Sequence, residues 1–189
     1  MRKSYIDIGL DDLQIPASDL AESAALAWRR GKHPIVLLSG NMGSGKTTLV
    51  SRFVQELYKE LSVSKNGSKL WVNSPTYTLM NEYPIPEVQS EAGEKLSIFH
   101  FDLYRLSGEA ETEDLGFEEY WGRRGICIVE WWDRAPKAFS SMQCSASVSI
   151  YENGTEESRN LNVEWLGSDW TSCDSELASI LNRAKKEIG

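Results

Sequence analysis

The 189-residue chain is long enough to bury a sizeable core as one domain, and 20 basic against 28 acidic residues give it a net charge of −8. Such a surface repels polyanions, which argues against an extensive grip on nucleic acid by this chain alone. Three cysteines, Cys127, Cys144 and Cys173, lie far apart with no C-x-x-C pair and only two histidines beside them, so reduced thiols in a cytoplasmic protein are expected rather than a disulfide framework or a zinc site. No apolar run is long enough to span a bilayer, and Met1-Arg2-Lys3-Ser4-Tyr5-Ile6-Asp7 is followed by no signal-type stretch, so no membrane association is expected.

In chain order, Ser18 opens a helical pattern with Leu20, Ala21, Ala24, Ala25 and Trp28 on one face, closed by Arg29-Arg30-Gly31. The apolar run Ile35-Val36-Leu37-Leu38 reads as a strand. It leads into Gly40-Asn41-Met42-Gly43-Ser44-Gly45-Lys46-Thr47, which fits G-x-x-x-x-G-K-[ST] and is followed by Thr48 and a second helical pattern through Leu61. A strand, this loop and a helix are the setting a nucleotide-phosphate cradle requires. Glycines let backbone N–H groups turn onto phosphates, the helix N-terminus adds its positive dipole end, Lys46 reaches the β/γ-phosphates and Thr47 can ligate Mg²⁺.

Lys69 to Asn73 reads as a short strand ending at Ser74-Pro75-Thr76-Tyr77-Thr78. Thr78–Tyr83 and Leu96–Tyr104 read as an antiparallel hairpin with a long acidic tip over residues 84–94. Ser107–Trp121 reads as a broken helix. Ile126-Cys127-Ile128-Val129 has the unbroken apolar character of a strand buried on both faces. Ala146–Tyr151 and Asn160–Trp165 flank Glu152-Asn153-Gly154 as a hairpin, and Asp174 caps a last amphipathic helix over 174–188. The order predicts an α/β fold: a three-layer sandwich of the P-loop NTPase type, with helices around a mixed, largely parallel central sheet.

A phosphate loop of this kind works with Mg²⁺, which takes one or two carboxylates beside the loop hydroxyl. Two acids end strands. Glu130 follows Ile126–Val129, and Asp102 ends Ile98-Phe99-His100-Phe101-Asp102; either could ligate the metal or position water. His100, in an aromatic strand, reads more readily as a satisfied core group than as a proton shuttle, and His33 carries less still. Arg105 and Arg134 could reach phosphate oxygens or merely pair with carboxylates. Trp131 and Trp132 cannot both face inward, so one is expected near the nucleotide or at a partner surface.

Gly40–Thr47, then Ser74-Pro75-Thr76-Tyr77-Thr78-Leu79 with Asn81-Glu82-Tyr83, then His100-Phe101-Asp102-Leu103-Tyr104-Arg105, then Val129-Glu130-Trp131, together resemble the TsaE family of bacterial P-loop ATPases in tRNA threonylcarbamoyladenosine (t6A) biosynthesis. The resemblance implies binding of ATP and Mg²⁺ and weak hydrolysis. It also implies action with TsaB and TsaD, of which TsaD modifies adenosine 37 in tRNAs reading codons that begin with A, while hydrolysis resets the complex; tRNA is then met only through the partners. It makes Lys46, Asp102 and Glu130 catalytic, gives Thr47, Glu130 and Asp102 to the metal, and makes Ser74–Thr78, with Thr76, a switch-like loop near the γ-phosphate. The chain departs from the family's E-W-P-E-R in Glu130-Trp131-Trp132-Asp133-Arg134, and its adenine pocket has no sharp motif, with Asp12 and Gly154 marking candidate regions.

Two other readings share the loop. A small-molecule kinase would carry an arginine-rich lid, and few bases follow Glu130 here; a GTPase would carry N-K-x-D, which is absent. A nucleotide-dependent switch without obligatory hydrolysis stays open.

Overall fold

The computed structural model describes residues 1–61, 72–90, 93–155 and 157–183. Seven strands form one sheet: β1 (Arg2–Gly9), β2 (Ile35–Ser39), β3 (Met80–Gln89), β4 (Lys95–Asp102), β5 (Ile126–Glu130), β6 (Ser145–Glu152) and β7 (Ser158–Leu166), in the order β1-β7-β6-β2-β5-β4-β3. The four middle strands, β6, β2, β5 and β4, run parallel, and the flanks are antiparallel. Parallel strands need both faces covered, and β2 and β5 accordingly lack polar alternation.

The pleat sorts side chains between two cores. Val36, Leu38, Ile98, Ile126, Ile128, Val148 and Ile150 face α1 (Gln14–Arg29), α2 (Lys46–Glu60) and α4 (Asp174–Leu181). Ile35, Leu37, Phe99, Phe101, Cys127 and Val129 face α3 (Glu109–Asp114) and three 3₁₀ turns, at Phe117–Glu119, Trp132–Arg134 and Pro136–Phe139. All three cysteines are buried free thiols, and among the described residues no helix is long and apolar enough to cross a membrane.

Several boundaries differ from expectation. Helix α1 begins at Gln14 rather than Ser18, because Pro16 stands in the first turn, where no intrahelical N–H bond is needed. Its other end is a Schellman motif: Gly31, at φ +70°, donates to Trp28 O (2.9 Å) while Lys32 donates to Ala27 O (3.0 Å). Strand β3 continues past Tyr83 to Gln89, so much of the 84–94 insert is ladder, with Ile85 buried opposite Leu96. Pro84 and Pro86 are tolerated because β3 is an edge strand. Of the expected strand at Lys69–Asn73, residues 69–71 lie outside the described residues, and Val72 and Asn73 have no regular structure. Helix α4 ends at Leu181, and residues 184–188 lie outside the described residues.

Candidate nucleotide-binding site

The loop 40–45 joins β2 to α2 at the C-terminal edge of the parallel strands, and its backbone admits few substitutes. Gly40 sits at φ +144°, and a Cβ there would stand 2.5 Å from Ile150 O. Gly45, at φ +101°, starts α2 with no side-chain cap and no acid in the first turn. The first N–H groups of α2 are therefore open to an anion. Among the described residues Ser44 Oγ, buried in the same loop, has no partner, and Met42 at the tip is exposed.

Lys46 is buried, and its Nζ donates to Gly40 O (2.8 Å) and Asn41 O (2.9 Å) while lying 3.8 Å from the centroid of the Trp131 ring. Burial lowers its pKa below the usual lysine range, opposed by the nearby Glu130, Asp102 and Asp133 carboxylates. Trp131 reaches this position through a left-handed backbone (φ +59°), which for a non-glycine residue costs on the order of 1–3 kcal/mol.

Asp102 and Glu130 are register partners across β4 and β5. Both are 2% exposed, so each needs internal partners. Glu130 accepts from Thr47 Oγ1 (2.9 Å to Oε1, 3.1 Å to Oε2) and contacts His100 Nε2 through Oε1 (2.9 Å). Asp102 accepts the Thr76 hydroxyl at Oδ2 and the Tyr104 N–H at Oδ1 (2.9 Å), and Thr76 in turn contacts Ser74 (2.7 Å). His100, Asp102 and Glu130 project to the face that carries α2, which brings Thr47 to them.

These groups line a cleft of about 320 Å³ bounded by Met42, Gly43, Gly45–Thr48, Ser74, Thr76, Asp102, Tyr104, Glu130 and Trp131. Across the loop lies a second cleft, of about 280 Å³, walled by Ile8, Leu10, Leu13, Ile150 and Leu161 with Glu157 and Arg159 beside them, and sharing Gly43, Gly45 and Thr48 with the first. Asp12 and Gly154 line neither; their neighbours Leu13 and Glu157 do. Arg105 and Arg134 sit on rings, 5.6 Å from the Tyr77 centroid and 5.7 Å from the Tyr104 centroid, rather than on the acids. His33 lies beside Trp28 and Glu94, before β2 and away from the loop. Trp131 and Trp132 are each partly buried, Trp131 in the first cleft and Trp132 against Phe139. Leu10 and Leu13 of the apolar wall flank Asp12, in a region the sequence marks; Ile8, Ile150 and Leu161 come from β1, β6 and β7, which only tertiary pairing unites with it. Tyr104, part of the His100–Arg105 motif, gives its backbone N–H to Asp102 and sets its ring against Trp131, 5.0 Å between centroids.

The donor set fits a magnesium nucleotide: a hydroxyl and a carboxylate already within 2.9 Å of each other, a lysine ammonium whose acceptors are loop carbonyls, and uncapped helix N–H groups.

Residues 15–161 match the family model "Threonylcarbamoyl adenosine biosynthesis protein TsaE". The chain is 33% identical over 129 residues to tRNA threonylcarbamoyladenosine biosynthesis protein TsaE of Haemophilus influenzae, covering 68% of each chain. It is 37% identical over 97 residues to TsaE of Bacillus subtilis (51% of this chain, 49% of the relative) and 39% identical over 106 residues to that of a Nostoc species (54% of each). The match thus spans about half the length of the last two relatives. The fold is similar to the crystal structure of Bacillus subtilis YdiB, with a TM-score of 0.56, 20% identity and 95% of both chains covered. The family model spans most of the chain, from α1 through the phosphate loop and both acids into β7, and the chain belongs to the TsaE family of t6A biosynthesis.

Proposed function

We propose that this protein binds ATP with Mg²⁺ across its phosphate loop, hydrolyses it slowly, and acts with TsaB and TsaD to reset the complex that threonylcarbamoylates adenosine 37. The observation that carries the reading is the meeting of Thr47 with Glu130, beside Asp102, at the uncapped start of α2.

The triphosphate lies along the loop, its charge met by the first N–H groups of α2 and by Lys46, which exchanges Gly40 O and Asn41 O for phosphate oxygens. Thr47 and Glu130 are the residues that would hold magnesium, which when bound neutralises charge on the β- and γ-phosphates. Asp102 holds Thr76, so it orients the 74–78 loop toward the terminal phosphate and the attacking water. The division makes Glu130 the metal-side acid and Asp102 the water-side acid. The apolar cleft takes the base, because it adjoins the loop through Gly43, Gly45 and Thr48 and offers aliphatic walls to a flat ring.

Phosphate release from ATP by the purified chain, alone and with TsaB and TsaD, tests the reading, with Lys46→Ala as control. A slow rate that rises with the partners is expected. A rate indifferent to them but dependent on a small-molecule acceptor would move the chain to a kinase.

A further inference from the structure

We propose that His100 is a positioning residue that holds the Glu130 carboxylate in register with Thr47; this rests on the ATPase reading above. The apolar row into which His100 is set runs through Ile98 on its own strand and pairs it with Ile128 across β5. Across β3 its register partner is Asn81, which bonds to Asn73, Thr78 and Tyr83 rather than to the ring, and His100 is fully buried. Among the described residues its Nδ1 has no partner and its one hydrogen bond is Nε2 to Glu130 Oε1, at 2.9 Å. Because an ionised carboxylate only accepts, the imidazole donates through Nε2–H.

The bond has a directional effect. Oε1 of Glu130 is shared between His100 from beneath and Thr47 from the cleft, whereas Oε2 has Thr47 alone, at 3.1 Å. When Thr47 turns its hydroxyl to a ligand, Oε1 keeps the histidine and the carboxylate cannot swing, leaving Oε2 facing the cleft. A donor behind a carboxylate that holds a metal orients it in the same way in other metal sites.

The test compares the full-length wild type with His100→Leu, His100→Gln and His100→Asn. The Gln amide can place an N–H near the Nε2 position, whereas the shorter Asn amide reaches only the Nδ1 position. The readouts are binding of a fluorescent ATP analogue in EDTA, the Mg²⁺ concentration that half-saturates the gain in affinity, and the kcat and KM of phosphate release. The expected result for His100→Leu is a rise in the half-saturating Mg²⁺ concentration or a fall in kcat by about 10–100-fold, with EDTA binding within about twofold of wild type; Gln recovers most of the loss and Asn does not. Unchanged Mg²⁺ dependence and kcat in His100→Leu, an equal loss in EDTA, or Gln as poor as Asn would overturn the proposal. Should His100→Leu lose its cooperative melting transition, the contrast of Gln with Asn decides. Failure of wild type itself to bind the analogue would overturn the ATPase reading along with this one, whereas failure confined to the His100 contrast leaves that reading standing.

Discussion

The phosphate loop parts two clefts of similar volume, about 320 and 280 Å³, that differ in which side chains line them. On the α2 side of the C-terminal sheet edge, two buried acids each accept a threonine hydroxyl, Thr47 on Glu130 and Thr76 on Asp102, and Lys46 beside them is held by the loop carbonyls of Gly40 and Asn41. On the β1 and β7 side, aliphatic side chains form the wall, and the rim residue Leu10 is exposed. The difference follows from where each wall comes from. Parallel strands β4 and β5 end together at the loop, and their last residues are acids in register; β1, β6 and β7 meet beside the loop at Ile8, Ile150 and Leu161, where alternation puts apolar side chains on the covered face. The buried acids and the aliphatic wall thus come from different parts of one sheet.

The sharpest break in this division is expected at Lys46. Lys46→Ala should lower hydrolysis by about 10²–10³-fold, as loss of one preorganised charge-stabilising donor does, and cells dependent on the variant should lack t6A. Phosphate release and nucleoside analysis of bulk tRNA check it; normal modification would sink the assigned mechanism. Glu130→Gln is isosteric and keeps one acceptor oxygen, which Thr47 and His100 can share as they share Oε1, so nucleotide binding in EDTA should persist while turnover falls by about 10²-fold, at the lower end for a group acting on the reacting centre. If t6A forms normally in that variant, nucleotide binding alone suffices and the protein is a switch rather than an obligatory ATPase.

The polar cleft was largely legible in the chain and the apolar one was not, for a physical reason. Gly40–Thr47 must be contiguous to curl around a phosphate, and Asp102 and Glu130 each close a hydrophobic strand, so local spacing carries them. Ile8, Ile150 and Leu161 meet only because β1, β7 and β6 pair in antiparallel register, a relation with no local mark. His100 was open to two readings because an aromatic strand does not reveal which neighbour a buried ring will meet. Prolines concealed the true extents of α1 and β3: Pro16 lies in a first turn and Pro84 and Pro86 on an outer edge, places where the missing N–H goes unneeded.

A smaller effect is expected where the acid side meets the 74–78 loop. Thr76→Val removes the hydroxyl that Asp102 holds and leaves the shape almost unchanged. A hydrogen bond to a charged group is worth about 1.5–3 kcal/mol, and the lower figure corresponds to roughly a tenfold loss in turnover. Steady-state kinetics should show that loss in kcat with KM for ATP little changed, because the bond orients the loop rather than holding the nucleotide. A rise in KM alone would place Thr76 among the binding residues and weaken the assignment of Asp102 to the water side.

The smallest effect tests the apolar cleft, and its sign is set by what the ligand carries. Leu10 stands on the rim at 62% exposure, so truncating it removes little from the folded core, and the melting temperature should hold because surface changes are usually worth less than about 0.5 kcal/mol. A base lying against it would nevertheless lose apolar contact at roughly 25 cal/mol per Å², so covering some 40 Å² gives about 1 kcal/mol, or about fivefold in ATP affinity. Inorganic tripolyphosphate has the phosphates and no base. Leu10→Ala should therefore weaken ATP while leaving tripolyphosphate binding unaltered, as competition against a fluorescent nucleotide would read. Equal weakening of both ligands would mean that the rim acts on the loop rather than on the base, and unchanged binding of both would move the base out of this cleft and leave the phosphate side as the one recognition surface.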